Sequence, residues 1–236
     1  MPIKQLIVNA DDFGLSAGIN AGIVQAHEHG IVTSTSLMVR QGAADDAAAL
    51  ARRLPRLAVG LHVDLWESVY RGGEWVRLHS WTGDDRQAIE RELRAQLACF
   101  RDLMGREPDH LDSHQHAHRY EPAATVISQA ARALGLPLRG DGTARYIGGF
   151  YGQDDIGRSH PEGIGVPRLL ELLDALEPGL TEFGCHPGHV AADDALGGTA
   201  YRLERNLECQ SLCDARVLSR IARGDIVLTT FGGVSR

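Results

Sequence analysis

Short apolar runs alternate along the chain with stretches whose apolar residues recur every three or four positions, and this alternation predicts the order of elements. The run Leu6-Ile-Val-Asn-Ala10 suits a buried strand. Residues 16–29 have helical spacing through Ile19, Ile23 and His27, with Ser16 to cap the helix and Gly30 to end it. Further strands are expected at 33–39, 57–65, 110–114, 136–139, 181–186 and 225–231, where β-branched and apolar residues gather. Helices are expected at 43–54, 84–104, 123–134, 167–176 and 200–214. The first of these stops before Pro55, and the second carries Leu93, Leu97 and Phe100 on one side. Two segments follow neither period. One is 66–83, with Gly72-Gly73 and the tryptophans Trp66, Trp75 and Trp81; the other is the Gly-rich 146–161. Both are expected to be long loops that carry function.

Strands alternating with helices predict parallel β/α units with right-handed crossovers. An α/β barrel is expected over an open doubly wound sheet, because polar residues recur at the carboxyl ends of several strands, where barrels build their sites. With 236 residues and no repeat, low-complexity tract or evident linker, the chain is expected to form one domain over 1–236.

The strand ends hold the candidate chemistry. Asp11 and Asp12 close the first apolar run, and two adjacent carboxylates repel, so burying both requires a metal ion, another cation or a shared proton. A solvated strand-to-helix turn is the alternative for the pair. The eleven histidines are unevenly placed: His62 ends the third strand, His114, His116 and His118 follow the fourth, and His186 and His189 follow a late one. If each strand delivers its terminal side chain to one barrel mouth, Asp12, His62 and His114 converge as a carboxylate and two imidazoles. That set suits one divalent ion with positions open to water and substrate. His116 and His118 are then expected nearer the substrate or behind the ligands in a supporting place, or in an exposed polar loop.

Composition narrows the functional classes. A net charge of -7 with no Lys/Arg cluster leaves no basic field for nucleic acid. No glycine-rich fingerprint for a dinucleotide or nucleoside triphosphate follows a strand. The start, Met1-Pro-Ile-Lys4, has neither the basic flank nor the apolar core of a signal peptide, and no apolar stretch is long enough to span a bilayer. The four cysteines lack the spacing of a disulfide framework, so a cytoplasmic protein is expected. A homo-oligomer is compatible with the sequence, which does not specify one.

In combination, Val8-Asn-Ala-Asp-Asp-Phe-Gly14, Gly60-Leu-His62, His110-Leu-Asp-Ser-His-Gln-His-Ala-His118, Gly149-Phe-Tyr-Gly152 and Cys185-His-Pro187 resemble the motifs of the YdjC-like carbohydrate deacetylases, which include chitooligosaccharide and hopanoid-biosynthesis-associated types. The resemblance runs in order over nearly the whole chain. It implies a distorted (β/α) barrel related to polysaccharide deacetylases and a divalent ion at Asp12, His62 and His114. It also implies removal of an acetyl group from an N-acetylated sugar or glycolipid. Two departures stand out: Gln115, where relatives often have His, and the tail Thr229-Thr-Phe-Gly-Gly233.

On this reading Asp11 is the general base that takes a proton from water, and His186 is the acid that protonates the departing amine. Trp66, Trp75 and Trp81, with Phe150 and Tyr151, are expected to stack on sugar faces or to pack within their loops. His₂Asp ligation fits zinc and other first-row ions, while the resemblance brings in magnesium. Two rivals remain: a metal-dependent phosphoesterase, and a carbohydrate- or metal-binding protein without turnover.

Overall fold

The computed structural model describes residues 3–191, 196 and 199–233. Its strands are β1 (Lys4–Phe13), β2 (Ser34–Leu37), β3 (Ala58–Val63), β4 (Trp66–Arg71), β5 (Glu74–Ser80), β6 (Leu111–Ser113), β7 (Arg145–Ile147), β8 (Gly179–Cys185) and β9 (Ile226–Leu228). The helices are α1 (Ala17–Glu28), α2 (Ala44–Arg53), α3 (Arg86–Met104), α4 (Ala123–Leu134), α5 (Val166–Asp174), α6 (Glu204–Leu212) and α7 (Ala215–Ile221). Seven strands form one curled parallel sheet in the order β6-β3-β2-β1-β8-β7, with β9 beside the start of β1. The protein is thus an α/β fold built as a distorted (β/α) barrel. Helices cover the sheet, which is why β1, β2 and β3 are apolar or buried on both faces.

Helix boundaries follow local chemistry. Ser16 Oγ accepts the Ile19 N–H at 3.2 Å, and Asp85 Oδ1 accepts the Ala88 N–H at 2.9 Å, each satisfying an amide that a first turn leaves unpaired. Gly105 at φ 69° and Gly135 at φ 65° end α3 and α4 in the left-handed conformation that glycine takes without a Cβ penalty.

Several expectations are corrected. The segment 66–83 is mostly an antiparallel hairpin, β4 with β5, and not an irregular loop. Gly72 and Gly73, at φ 62° and 95°, supply the paired positive φ values that a two-residue turn demands. Segment 136–139 adds one parallel bridge, Leu138 to Leu111, in place of a full strand, whereas β7 forms within the stretch expected to be irregular. The helix expected at 200–214 is the shorter α6, and α7 follows it after a separate cap at Asp214. The closing strand spans only three residues, and Phe231–Gly233 turns into a 3-10 segment. No described helix is long and apolar enough to cross a membrane.

Candidate active site

The parallel register carries the ends of β1, β2, β3, β6 and β8 to one rim. Leu37 pairs with Leu61, His62 with Asp112, and Ala10 with Cys185. At that rim the β1–β2 register shifts between Ala10 and Phe13, and Asp12 adopts φ 69°, unusual for a residue with a side chain. A regular strand would send Asp11 and Asp12 to opposite faces. The bulge instead lets both line the same cleft, on different partners.

Asp12 faces the histidines. Its Oδ1 lies 3.3 Å from His62 Nε2 and 3.2 Å from His114 Nδ1. One ligand atom from each of these residues lies within 4.8 Å of the other two, a span that one ion can bridge. The other Asp12 oxygen accepts from Arg205 Nη2 at 2.6 Å, which leaves one oxygen for a cation. Each imidazole then spends its remaining nitrogen on a carboxylate: His62 Nδ1 lies 2.8 Å from Asp112 Oδ1, and His114 Nε2 lies 2.8 Å from Glu67 Oε2. Such partners fix the tautomer that presents a bare nitrogen to a metal.

Asp11 is held instead by Arg139. The guanidinium donates to both Asp11 oxygens at 2.6 and 2.7 Å, and also reaches Asp112 at 2.8 Å and Glu182 at 2.7 Å. Burial would raise the Asp11 pKa, yet Arg139 outweighs it and holds the carboxylate below its ordinary value. Asp12 is held well below as well, burial being overcome by Arg205 and the two histidines. For Glu182 burial wins over Arg139, and Asp112 adds to it, pushing the group up to about 7.

The buried carboxylates Asp11, Asp12, Asp112, Glu182 and Glu67 outnumber the guanidiniums Arg139 and Arg205, so the rim carries excess negative charge. Burial opposes charge on His62, but Asp112 and Asp12 lift its pKa to about 10; His114 is likewise raised well above normal by Asp12 and Glu67. Asp12, Asp112 and Glu67 thus surround the two rings with negative charge, which favours a cation held between them. The donor set therefore fits a metal in atom type, spacing and charge.

A cleft of about 1140 Å³ opens above these groups. His186 stands on its wall with its side chain 20% exposed, Nε2 being 3.8 Å from Asp11 Oδ2. Tyr151 and Tyr201 flank its ring, each with a centroid 5.4 Å away. Burial pushes the imidazole down to about 4, against the pull of Asp11 and Asp12, so it is neutral at pH 7. Trp75 lines the cleft from β5, 59% exposed, and Tyr151 lines it while stacked on Tyr201 at 4.4 Å. His116 also borders the cleft, edge-on to Tyr146.

One expected substrate contact is corrected, and His118 takes the supporting place that was its alternative. Phe150 borders the cleft but is only 1% exposed, its ring packed on Phe183 at 5.3 Å, so little of it is open for a sugar to stack on. His118 is buried with Nδ1 2.6 Å from Ser113 Oγ, and it does not border the cleft. It braces the turn after β6. His189 lies apart from these groups, 2.8 Å from the Gln25 side chain.

Sequence reasoning passed over Arg139, Arg205, Asp112, Glu67 and Glu182. Arg139 follows a short apolar segment, the same strand-end signal that pointed to His62, and was readable on that basis. Asp112 was hidden by its neighbours in a histidine-rich motif. Arg205 sits among polar residues of α6, where no pattern separates a buried guanidinium from a solvated one.

The sequence model of the family described as YdjC-like protein matches residues 5–223. A Geobacillus stearothermophilus protein named carbohydrate deacetylase is 36% identical, with 97% of each chain covered. Among solved structures, an Enterococcus faecalis protein named for cellobiose-phosphate cleavage superposes with a TM-score of 0.77 at 25% identity, covering 99% of this chain and 100% of its own. A family 4 carbohydrate esterase from Streptomyces lividans shares the fold, with a TM-score of 0.58 at 13% identity over 98% of this chain and 94% of its own. A family match over most of the chain and a full-length relative above a third identical lead to one assignment: the chain belongs to the YdjC-like protein family.

Proposed function

We propose that residues 1–236 act as one metal-dependent hydrolase domain that removes the N-acetyl group from an acetylated amino sugar or oligosaccharide and releases acetate. One observation carries this reading: an Asp-His-His donor set and a separate Asp11–His186 pair border the same cleft. A binding protein needs no proton acceptor beside its ligands. The full-length relative named carbohydrate deacetylase supports the same reaction class.

In this mechanism Asp12, His62 and His114 would hold a divalent ion, zinc or magnesium being the candidates, and that ion would supply Lewis-acid chemistry to the acetamide carbonyl and to a water. Asp11 accepts the proton of the attacking water. Arg139 keeps that carboxylate ionised and fixed in aim, so no reorientation is needed during reaction. Because His186 is neutral at rest, the proton taken by Asp11 passes to His186 Nε2 and from there to the amine nitrogen as the C–N bond breaks. Tyr151 and Tyr201 confine the His186 ring, while Trp75 and His116 offer surfaces to the sugar. The four cysteines are free, which suits a reducing cytoplasm.

The test is to incubate the protein, loaded with Zn²⁺ or Mg²⁺, with a panel of N-acetylated oligosaccharides and with a generic phosphodiester. Acetate release that a chelator abolishes is the expected result. Phosphodiester cleavage without acetate would favour the phosphoesterase reading, and metal or sugar binding without either product would favour a binding protein.

A further inference from the structure

The β4–β5 hairpin stands apart from the main sheet, yet it touches a histidine of the proposed metal set. Glu67 of β4 is 7% exposed, and its Oε2 lies 2.8 Å from His114 Nε2. Its other oxygen accepts from Gln115 Nε2 at 2.8 Å. The Gln115 amide also pairs with the backbone of Ser68: Oε1 accepts the Ser68 N–H at 3.0 Å, and Nε2 donates to the Ser68 carbonyl at 2.8 Å. One side chain thus acts as an extra rung on β4. A planar amide presents donor and acceptor side by side, which one imidazole nitrogen cannot do, and this accounts for Gln at position 115.

The turn that makes this contact is strained. Gln115 and His116 take φ 49° and 53°, left-handed values that a residue with a side chain holds only where surrounding contacts enforce them. A two-stranded hairpin is in turn marginal without outside support. The same hairpin gives the cleft Trp66, Ser68, Trp75 and Arg77.

We infer that Glu67 and Gln115 are positioning residues that couple cation binding to the placement of the hairpin, so that the outer wall of the cleft is set when the cation is held. The inference rests on the metal reading above. Glu67 accepts the proton of His114 Nε2, which keeps Nδ1 bare toward the ion; the ion, by fixing His114, fixes Glu67 and with it β4. Coupling of this kind is reciprocal: what loosens the hairpin weakens the ion, and loss of the ion loosens the hairpin.

The test uses the full chain and Zn²⁺ alone, with affinity measured by competition against a chromophoric chelator and hairpin order by amide hydrogen exchange over 66–80. In wild type, Zn²⁺ should slow exchange in the hairpin. Glu67→Ala should bind Zn²⁺ about 10- to 100-fold more weakly and lose that slowing. Glu67→Gln, whose amide oxygen still accepts the imidazole N–H, should recover most of the affinity. Gln115→Ala should speed hairpin exchange both with and without Zn²⁺, and a far-ultraviolet dichroism spectrum like that of wild type confirms that each variant has folded. Equal Zn²⁺ affinity in wild type and Glu67→Ala would overturn the inference, as would hairpin exchange indifferent to Zn²⁺ in wild type. Wild-type protein that binds no Zn²⁺ would overturn the metal reading itself, and this inference with it.

Discussion

Asp11 and Asp12 are neighbours in sequence with the same side chain, and their division of labour is imposed by two arginines from distant parts of the chain. Arg205 takes one oxygen of Asp12, and Arg139 takes both oxygens of Asp11. Replacing Asp11 by Asn should therefore spare metal binding while lowering deacetylation about 10²- to 10⁴-fold, the usual cost of a proton-transfer group. Retained turnover in Asp11→Asn, measured as acetate release at saturating metal, would assign the base elsewhere. His62→Ala and His114→Ala should fail the other way, losing bound metal on dialysis before any question of rate arises. Arg139 has a structural task as well. It is buried among Asp11, Asp112 and Glu182, so Arg139→Ala would leave those carboxylates without their shared counter-charge. Breaking a buried pair of this kind costs on the order of 3–5 kcal/mol, to be read from a urea denaturation curve.

At the scale of elements, the hairpin carries the substrate question. Trp75 lies on β5 with its ring edge-on to Tyr70 and much of its surface open to the cleft. It touches neither Asp11 nor the metal set, so Trp75→Ala should raise KM for an N-acetylated oligosaccharide about 2- to 10-fold and leave kcat near wild type, in line with aromatic contacts worth roughly 0.5–1.5 kcal/mol. An unchanged KM would remove Trp75 from the sugar surface. The hairpin also shows where sequence reading fell short. Gly72-Gly73 between alternating residues is a hairpin signal, but the three tryptophans and the polar residues of 66–83 blur the period on either side of it. The long helices and the buried strands β1, β2 and β3 were readable because tertiary packing and local pattern agree there. Short elements such as β7 and α7 were not. Their few residues hold shape through neighbours rather than through their own periodicity.

Over the whole molecule, strand-end reasoning located Asp12, His62 and His114 at one rim because a parallel barrel places every strand's carboxyl end together. It had no access to the buried charge network, since a guanidinium's partners depend on which elements meet in space. His110 shows a further consequence of that packing. Its ring stacks on Phe231 at 4.0 Å and lies over Gly60, where an added Cβ would approach it to 2.4 Å, so the glycine of Gly60-Leu-His62 makes room for a buried imidazole. Among the described residues neither ring nitrogen has a hydrogen-bond partner. Burial pushes His110 down to about 4, against the pull of Asp112, so the folded protein keeps it neutral while the unfolded chain protonates it near its ordinary 6.5. Because the folded pKa is the lower one, this contribution to stability is complete above pH 6.5 and is lost as pH falls toward 4. The full loss is about 3 kcal/mol, and His110→Leu should remove it. Urea midpoints collected from pH 7 to pH 4 should accordingly fall less steeply for His110→Leu than for wild type. Parallel pH profiles for the two proteins would show that His110 does not carry this acid destabilisation.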